Sequence, residues 1–262
     1  ILIMFKDLEN KVVVITGGLG FLGKQFVEAF AESKSYVVIL DIFPKSKIKN
    51  ITNKNISYFK CDLSKEKQVI SVSKKIIKKF KKINVLVNCV AKDYIPRKNK
   101  DDFFSLESLP LDIWNKDLEV GLSSLFISTK IIGSLIKRNK EGGSIINLSS
   151  DLGIISPDQR IYKKLNFVKP ITYSAIKHGV IGITKYTATY WAKYNIRCNS
   201  VAPGGMFNNQ DKNFLKEIKK LIPLNRLGKI NEYNKLVLFL ASDSSSYITG
   251  STVVIDGGRT SW

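Results

Sequence analysis

One histidine, His178, and three scattered cysteines among 262 residues leave little material for a metal centre or a disulfide framework. A single imidazole excludes a multi-histidine site. Cys61, Cys89 and Cys198 stand far apart with no C-x-x-C pair, so no zinc ribbon and no stapled secreted scaffold is indicated, and no metal is expected. Each cysteine lies at or beside the end of an apolar strand-like run, which reads as a buried thiol in a reducing compartment. No apolar run reaches the roughly 18 residues that a membrane span needs. The opening ILIMF stops at Lys6 and Asp7, short of a signal-peptide core of about 7–15 residues, and Met4 is a candidate start. The expectation is a cytoplasmic protein with no membrane partner.

Acidic residues are also scarce, 22 against 42 Lys plus Arg, for a formal net charge of +20. Such a surplus suits nucleic acid, a membrane surface or an anionic substrate. The lysines, however, are spread along the chain. In SKKIIKKFKKI the apolar Ile76, Ile77, Phe80 and Ile83 recur at helical spacing while lysines fill the other face, the pattern of a solvated helix. No aromatic-interleaved basic motif points to RNA, and no nucleic-acid partner is expected.

Apolar runs rich in Val and Ile alternate with amphipathic stretches. The predicted strands are Val12–Thr16, Tyr36–Asp41, Ile56–Cys61, Val85–Asn88, Ser144–Leu148, Ile196–Val201 and Thr252–Ile255. Both faces of these runs are apolar, which suits a parallel sheet covered on two sides. Predicted helices are Phe21–Ala31, Glu66–Lys81, Leu111–Arg138, Thr172–Lys193 and Asn231–Ala241. The alternation predicts an α/β fold, a doubly wound parallel sheet of about seven strands in one domain spanning 1–262. Two polar segments break the rhythm, Asp151–Lys169 and Pro203–Lys229, the second expected as a long loop with one short helix. In an open α/β sheet they fall past the carboxyl ends of strands, where ligands bind.

The run VVVITGGLGFLGKQF places Gly17, Gly20 and Gly23 after a strand and at the opening of a helix. Gly17 permits a tight turn, Gly20 a close approach of backbone to pyrophosphate, and Gly23 close helix–strand packing, with amides at the helix start facing phosphates. Asp41 ends the next strand 18 residues after Gly23. An acid there accepts from a ribose 2′-hydroxyl and repels a 2′-phosphate, so NAD is expected over NADP.

In the second half, YSAIK puts Tyr173 and Lys177 at i and i+4 on one helix face. Tyrosine, with a pKa near 10, is a poor base at neutral pH, and a neighbouring ammonium stabilises tyrosinate. Such a pair takes a proton from an alcohol or returns one to a carbonyl while a nicotinamide handles the hydride. Upstream, IINLSSD ends a strand in Ser149 and Ser150, hydroxyls suited to holding a reacting oxygen.

Together, TGGLGFLG, DI after the second strand, CDLS, NCVA, NLSS, YSAIK, NSVAPGG and VVIDGG make the chain resemble the short-chain dehydrogenase/reductase family from Lys11 to Gly258. The resemblance implies a Rossmann-like fold, mainly dinucleotide-binding over 11–110 and catalytic over 111–258. It implies Tyr173 as acid/base, Lys177 as its partner and a contact of the nicotinamide ribose, and Ser150 as the serine that orients the substrate oxygen. The cofactor contacts it implies are Gly17, Gly20, Phe21, Leu22 and Gly23 at the turn, Asp41 on the adenosine ribose, and Asp62 and Leu63 beside the adenine. Asn88 and Ala91 match the fourth-strand motif, and Pro203 and Gly204 the loop over the nicotinamide.

Departures from the family pattern sharpen this reading. G-x-x-G-x-x-G spacing belongs to the extended branch, with its NAD-retaining epimerases and dehydratases, whereas the C-terminal IDGG belongs to the compact branch. NCVA replaces the usual N-N-A-G. Gly121 stands where the catalytic tetrad has asparagine, which keeps a carbonyl but removes an amide. Ser150 and Tyr173 are 23 positions apart, about twice the family's usual separation. The extra segment, PDQRIYKKLNFVKP, is expected to loop out at the pocket mouth, where Arg160, Lys163 and Lys164 would either grip an anionic sugar or stay solvated. Its PDQR and KPITYS, with KHG, resemble members acting in bacterial surface-sugar pathways. The expected activity is NAD-dependent interconversion of a secondary alcohol and a ketone on a sugar-like small molecule. An NAD-retaining epimerase or dehydratase, and a non-catalytic dinucleotide-binding protein, stay open. His178 and Trp114 are expected at packing contacts, and the two long helices at the interface of a homodimer or homotetramer.

Overall fold

Seven short apolar runs form seven strands of one parallel sheet in the computed structural model, which describes residues 5–44, 54–92, 104–165 and 167–262. The strands are β1 (Val12–Thr16), β2 (Tyr36–Asp41), β3 (Ile56–Lys60), β4 (Val85–Asn88), β5 (Gly143–Leu148), β6 (Ile196–Pro203) and β7 (Thr252–Ile255). They lie in the order β3-β2-β1-β4-β5-β6-β7, so the winding reverses between β1 and β4. Register is regular there: Val14 stands opposite Val38 on one side and Leu86 on the other.

All five residues of β1 are buried because helices cover both faces. Alternation then divides the core. Val13 and Ile15 pack with Phe26, Phe30 and Val237, while Val12 and Val14 pack with Val72, Ile76 and Ile132. Helices α1 (Phe21–Glu32) and α6 (Asn234–Ala241) cover the first face. Helices α2 (Glu66–Phe80), α3 (Leu111–Ile136) and α4 (Ile171–Trp191) cover the second. On α2 the buried residues are Val69, Val72, Ser73 and Ile76, with lysines outward, as the spacing predicts.

Helix α3 is long and apolar enough to cross a membrane by length and composition, yet Ile132 and Ile136 lie in the core. It stops before Arg138 and widens into π turns at Glu119–Ser123 and Thr129–Gly133. The second π turn lies where the Trp191 ring abuts Gly133, 2.7 Å from where a Cβ would stand. Helix α4 ends at Trp191, and the predicted continuation to Lys193 is a 3₁₀ turn.

The segment expected to loop out instead packs. Residues Gln159–Leu165 form a 3₁₀ turn against α5 (Lys212–Lys220), and Tyr162 stacks on Phe214 at 5.4 Å and tilts against Phe167 at 5.0 Å. With Ile218 and Leu227 they make a small separate core, so 151–169 and 203–229 form one flap over the carboxyl ends of β5 and β6.

Candidate active site

The turn after β1 is built by leaving side chains out. Gly17 sits at φ +66°, its amide donates to Leu40 O at 2.8 Å, and its carbonyl accepts from Gly20 N at 3.0 Å. A Cβ on Gly23 would lie 2.1 Å from that carbonyl oxygen, which no rotamer relieves, whereas one on Gly20 would meet the same oxygen at 3.1 Å. Helix α1 begins at Phe21, so the amides of Phe21, Leu22 and Gly23 have no acceptor one turn back within the helix. These residues line a cavity of about 250 Å³. A row of amides at a helix start, beside a position with no side chain, fits a pyrophosphate.

Asp41, buried at the end of β2, braces this turn: its Oδ2 accepts from Leu19 N at 2.9 Å and its Oδ1 from Phe43 N at 3.0 Å. A carboxylate has about four lone-pair sites, so acceptor capacity remains for a ribose hydroxyl. Asp62 accepts from the Ser64 amide and hydroxyl, and Leu63 is buried in the second-face core, so its side chain does not face a ligand. Asn88 is also turned inward. Its amide donates to Thr129 and Asn147 and its carbonyl accepts from Ser128, tying β4 to β5 and α3. At this strand end Cys89 and Ala91 line the cavity in its place. Burial pushes the Cys89 thiol up to about 12, against the opposing pull of Lys177, and keeps it neutral.

On the far wall, β5 delivers two serines with different duties. Ser149 donates to Lys177 O at 2.8 Å and holds α4 to the sheet. Ser150 lines the cavity and donates to Asp151 Oδ1 at 2.7 Å. Asp151 in turn pairs with Arg259 at 2.7 Å, both side chains being about 95% buried. The carboxylate of Asp256 accepts from Gly258 N and Thr260 N, folding the C-terminal turn so that Arg259 enters the cavity.

Helix α4 starts at Ile171 behind Pro170, whose fixed φ suits an extended residue there and blocks an earlier start. Tyr173 and Lys177 then sit one turn apart, both on the cavity. Lys177 is buried, its Nζ 2.9 Å from Leu148 O and 5.6 Å from the Tyr173 ring centroid. Pro203 and Gly204 lie opposite; a Cβ on Gly204 would meet Asp256 Cα at 2.7 Å. Gly121 lies in the first π turn of α3, where a Cβ would strike two carbons of Ile176 at 2.8 Å. Ile176 thus occupies the space an asparagine would need.

Of the two alternatives for the flap's cations, the structure shows the solvated one. Arg160 clasps Asp158 through Nε and NH2 with 81% of its side chain exposed, and Lys163 and Lys164 point to solvent. Tyr162 and Lys169 face the cavity instead. His178 is exposed, with Nδ1 on its own helix at Ser174 O, so within the chain it is not a packing contact. Asp151, Tyr162, Lys169, Asn208 and Arg259 escaped sequence reasoning. Only Asp151 carried a local signal, an acid directly after the serine pair. Among the described residues no group of three His, Cys, Asp or Glu side chains could hold a metal ion.

The model of the family described as "Enoyl-(Acyl carrier protein) reductase" matches residues 21–260. An NAD-dependent glycerol dehydrogenase of Listeria innocua is 31% identical, over 97% of this chain and 95% of its own length. A 7alpha-hydroxysteroid dehydrogenase of Bacteroides fragilis is 32% identical over 96% of this chain and 95% of its own. A crystal structure of a short chain dehydrogenase from Leptospira borgpetersenii with bound NAD+ superposes with a TM-score of 0.87, at 30% identity, covering 96% of this chain and 93% of that one.

Proposed function

Because the chain belongs to the short-chain dehydrogenase/reductase family and is an NAD-linked oxidoreductase of alcohol groups, we propose that it interconverts a secondary alcohol and a ketone on a sugar or sugar derivative. The observation that carries this reading is the convergence of Ser150, Tyr173, Lys177 and the α1 amides on one cavity. NAD, when bound, supplies the hydride acceptor for oxidation and the donor for reduction. The amides of Phe21, Leu22 and Gly23 would hold its pyrophosphate and Asp41 its adenosine ribose, with the backbone at Asp62 and Leu63 on the adenine side and Cys89, Ala91, Pro203 and Gly204 on the nicotinamide side.

Tyr173 takes the alcohol proton at its phenolate oxygen, or returns it to a carbonyl. Lys177 stabilises that phenolate by its positive charge, and its bond to Leu148 O keeps the ammonium in place. Ser150 holds the substrate oxygen. Asp151, paired with Arg259, accepts the only hydrogen of Ser150, and Ser150 Oγ also accepts from Leu152 N, so its remaining lone pair is the one open to an alcohol hydroxyl. The hydroxyl swings toward the substrate as carbonyl character develops.

A sugar-like substrate is supported by the polar groups set in an otherwise largely apolar cavity wall, Asn208, Lys169 and the Asp151–Arg259 pair, by the glycerol-acting relative and by the likeness of the flap motifs to surface-sugar enzymes. The proposal places the enzyme in the cytoplasm, in surface-glycan synthesis, as a homodimer or homotetramer. Phe126, Tyr186 and Tyr190, more than half exposed on α3 and α4, support such an assembly. Purified protein with NAD or NADP, screened against polyols, free sugars, sugar phosphates, nucleotide sugars and hydroxysteroids, tests the reading through absorbance of the reduced cofactor. Net reduced cofactor with a sugar, lost about 10²–10⁴-fold in Tyr173→Phe, is the expected result. Turnover without net cofactor change supports the epimerase reading that the glycine spacing favours. A preference for hydroxysteroids overturns the sugar.

A further inference from the structure

The flap segment between Ser150 and Tyr173 ends in Lys169, a residue 8% exposed that lines the same cavity. Its Nζ lies 3.8 Å from the centroid of the Tyr173 ring, closer than the 5.6 Å of Lys177. The position is built. Gln159 donates through its amide to Lys169 O at 3.0 Å and accepts from Lys169 N at 3.1 Å, clamping that residue's backbone on both sides. Gln159 is in turn fixed at the start of the 3₁₀ turn whose Ile161, Tyr162 and Leu165 belong to the flap core.

We propose that Lys169 is a positioning residue for the proton-transfer step: a second ammonium, carried by the flap, that lies on the Tyr173 ring and stabilises its phenolate form together with Lys177. A cation over an aromatic face is attracted by the ring even when the phenol is neutral, and the attraction grows when the ring gains a full negative charge in a dry site. Tyr173 accepts the substrate proton and Lys169 keeps all three of its own, so no proton passes through the flap. The other charged or titratable groups facing this cavity are Lys177 on α4, Asp151 after β5, Arg259 from the C-terminal turn, Cys89 after β4 and Tyr162 in the flap. Asp151 and Arg259 neutralise one another and Cys89 stays a neutral thiol, so the two lysines set the field at Tyr173. The insertion is thereby part of the acid/base machinery as well as a wall for the substrate.

This inference rests on the reading of Tyr173 as acid/base, and ultraviolet titration of tyrosinate separates the two. Subtracting the Tyr173→Phe titration from that of the intact chain isolates the Tyr173 transition without any substrate. Lys169→Met, close in volume, is expected to move that transition upward by about one pH unit, tenfold less tyrosinate at neutral pH. Lys169→Arg keeps the charge and is expected to restore the transition. Gln159→Ala, which loosens the clamp but leaves the lysine, is expected to move it in the same direction by less. A Tyr173 transition unmoved in both Lys169→Met and Gln159→Ala overturns the role of Lys169. If instead the lowest-titrating phenol survives Tyr173→Phe, the acid/base reading fails and the proposal falls with it.

Discussion

Between β1 and α1 the cavity wall is made by removing side chains; between β5 and α4 it is made by adding them. At the glycine turn the working groups are backbone amides, and a single methyl at Gly23 would collide with the carbonyl of Gly17. In the flap the working groups are Tyr162 and Lys169, held by aromatic stacking and the Gln159 clamp. A backbone site is rigid because its geometry is local. A flap held by its own small core is free to lose its packing as a unit, and for that reason suits the side of the pocket that must admit and sort substrates.

Arg259→Met is expected to produce the largest effect. It strands the Asp151 carboxylate in a buried site at a cost of about 3–5 kcal/mol, read as a fall in the denaturation midpoint, and Asp151→Asn in the same chain should recover much of it. No loss in the single variant would mean that the pair is not a structural unit of the substrate side.

Phe214→Ala removes a buried ring from the flap core, a change of about 3–5 kcal/mol where it unfolds the whole chain and less where only the flap opens. The second outcome is expected: faster hydrogen exchange over Gln159–Leu165 and Lys212–Lys220, a raised KM, and a smaller loss of NAD affinity by calorimetry, since Pro203 and Gly204 at the flap's edge also face the cavity. Equal loss of NAD affinity would break the distinction between the two walls. Gly23→Ala tests the other wall, with overpacking of about 1–3 kcal/mol concentrated on NAD binding, while Gly20→Ala should weaken NAD with little change in stability.

The smallest effect concerns acid. Arg226 grips Glu232 through two nitrogens, and the Lys229 amide adds a third bond, so the carboxyl is held down to about 2 against an ordinary 4.5. A depressed carboxyl stabilises the fold above its ordinary value and loses that contribution as pH falls toward about 2. Being exposed, the pair matters little. Glu232→Gln should therefore shift the melting temperature slightly at neutral pH, and the difference from the parent should vanish on acidification through that window.

Much of the sheet was legible because the central strands β1, β2 and β4 are apolar on both faces and buried throughout or nearly so, as a doubly covered parallel sheet requires, and strand ends moved by no more than two residues. The long helices were legible as apolar periods, but not the two π turns of α3, which fall where Gly121 meets Ile176 and Gly133 meets Trp191 across helices. Tyr173 and Lys177 reach one cavity because i and i+4 spacing puts them on one helix face, whereas Ser150, 23 positions upstream of Tyr173, was singled out only by its likeness to the family's serine. Asn88 was placed at the cofactor by the likeness of NCVA to the family's fourth-strand motif; its inward turn follows from Ser128, Thr129 and Asn147, which lie far away in sequence. The charged insertion misled for the same reason. Its composition announced an exposed basic loop, and Arg160, Lys163 and Lys164 obey that, but Tyr162 and Lys169 turn inward because Phe214 and Gln159 are there to receive them.

By itself the sequence determined the sheet, the glycine turn and the placing of Tyr173 and Lys177 on one helix face, all of which rest on spacings within a few residues or on short apolar runs. The tertiary structure alone decided that Asp151 meets Arg259 across 108 positions and that Tyr162 stacks on Phe214. Such pairings depend on which segments fold over one cavity. Loop closure between distant positions is set by the whole packed core, and no local pattern of residues encodes it.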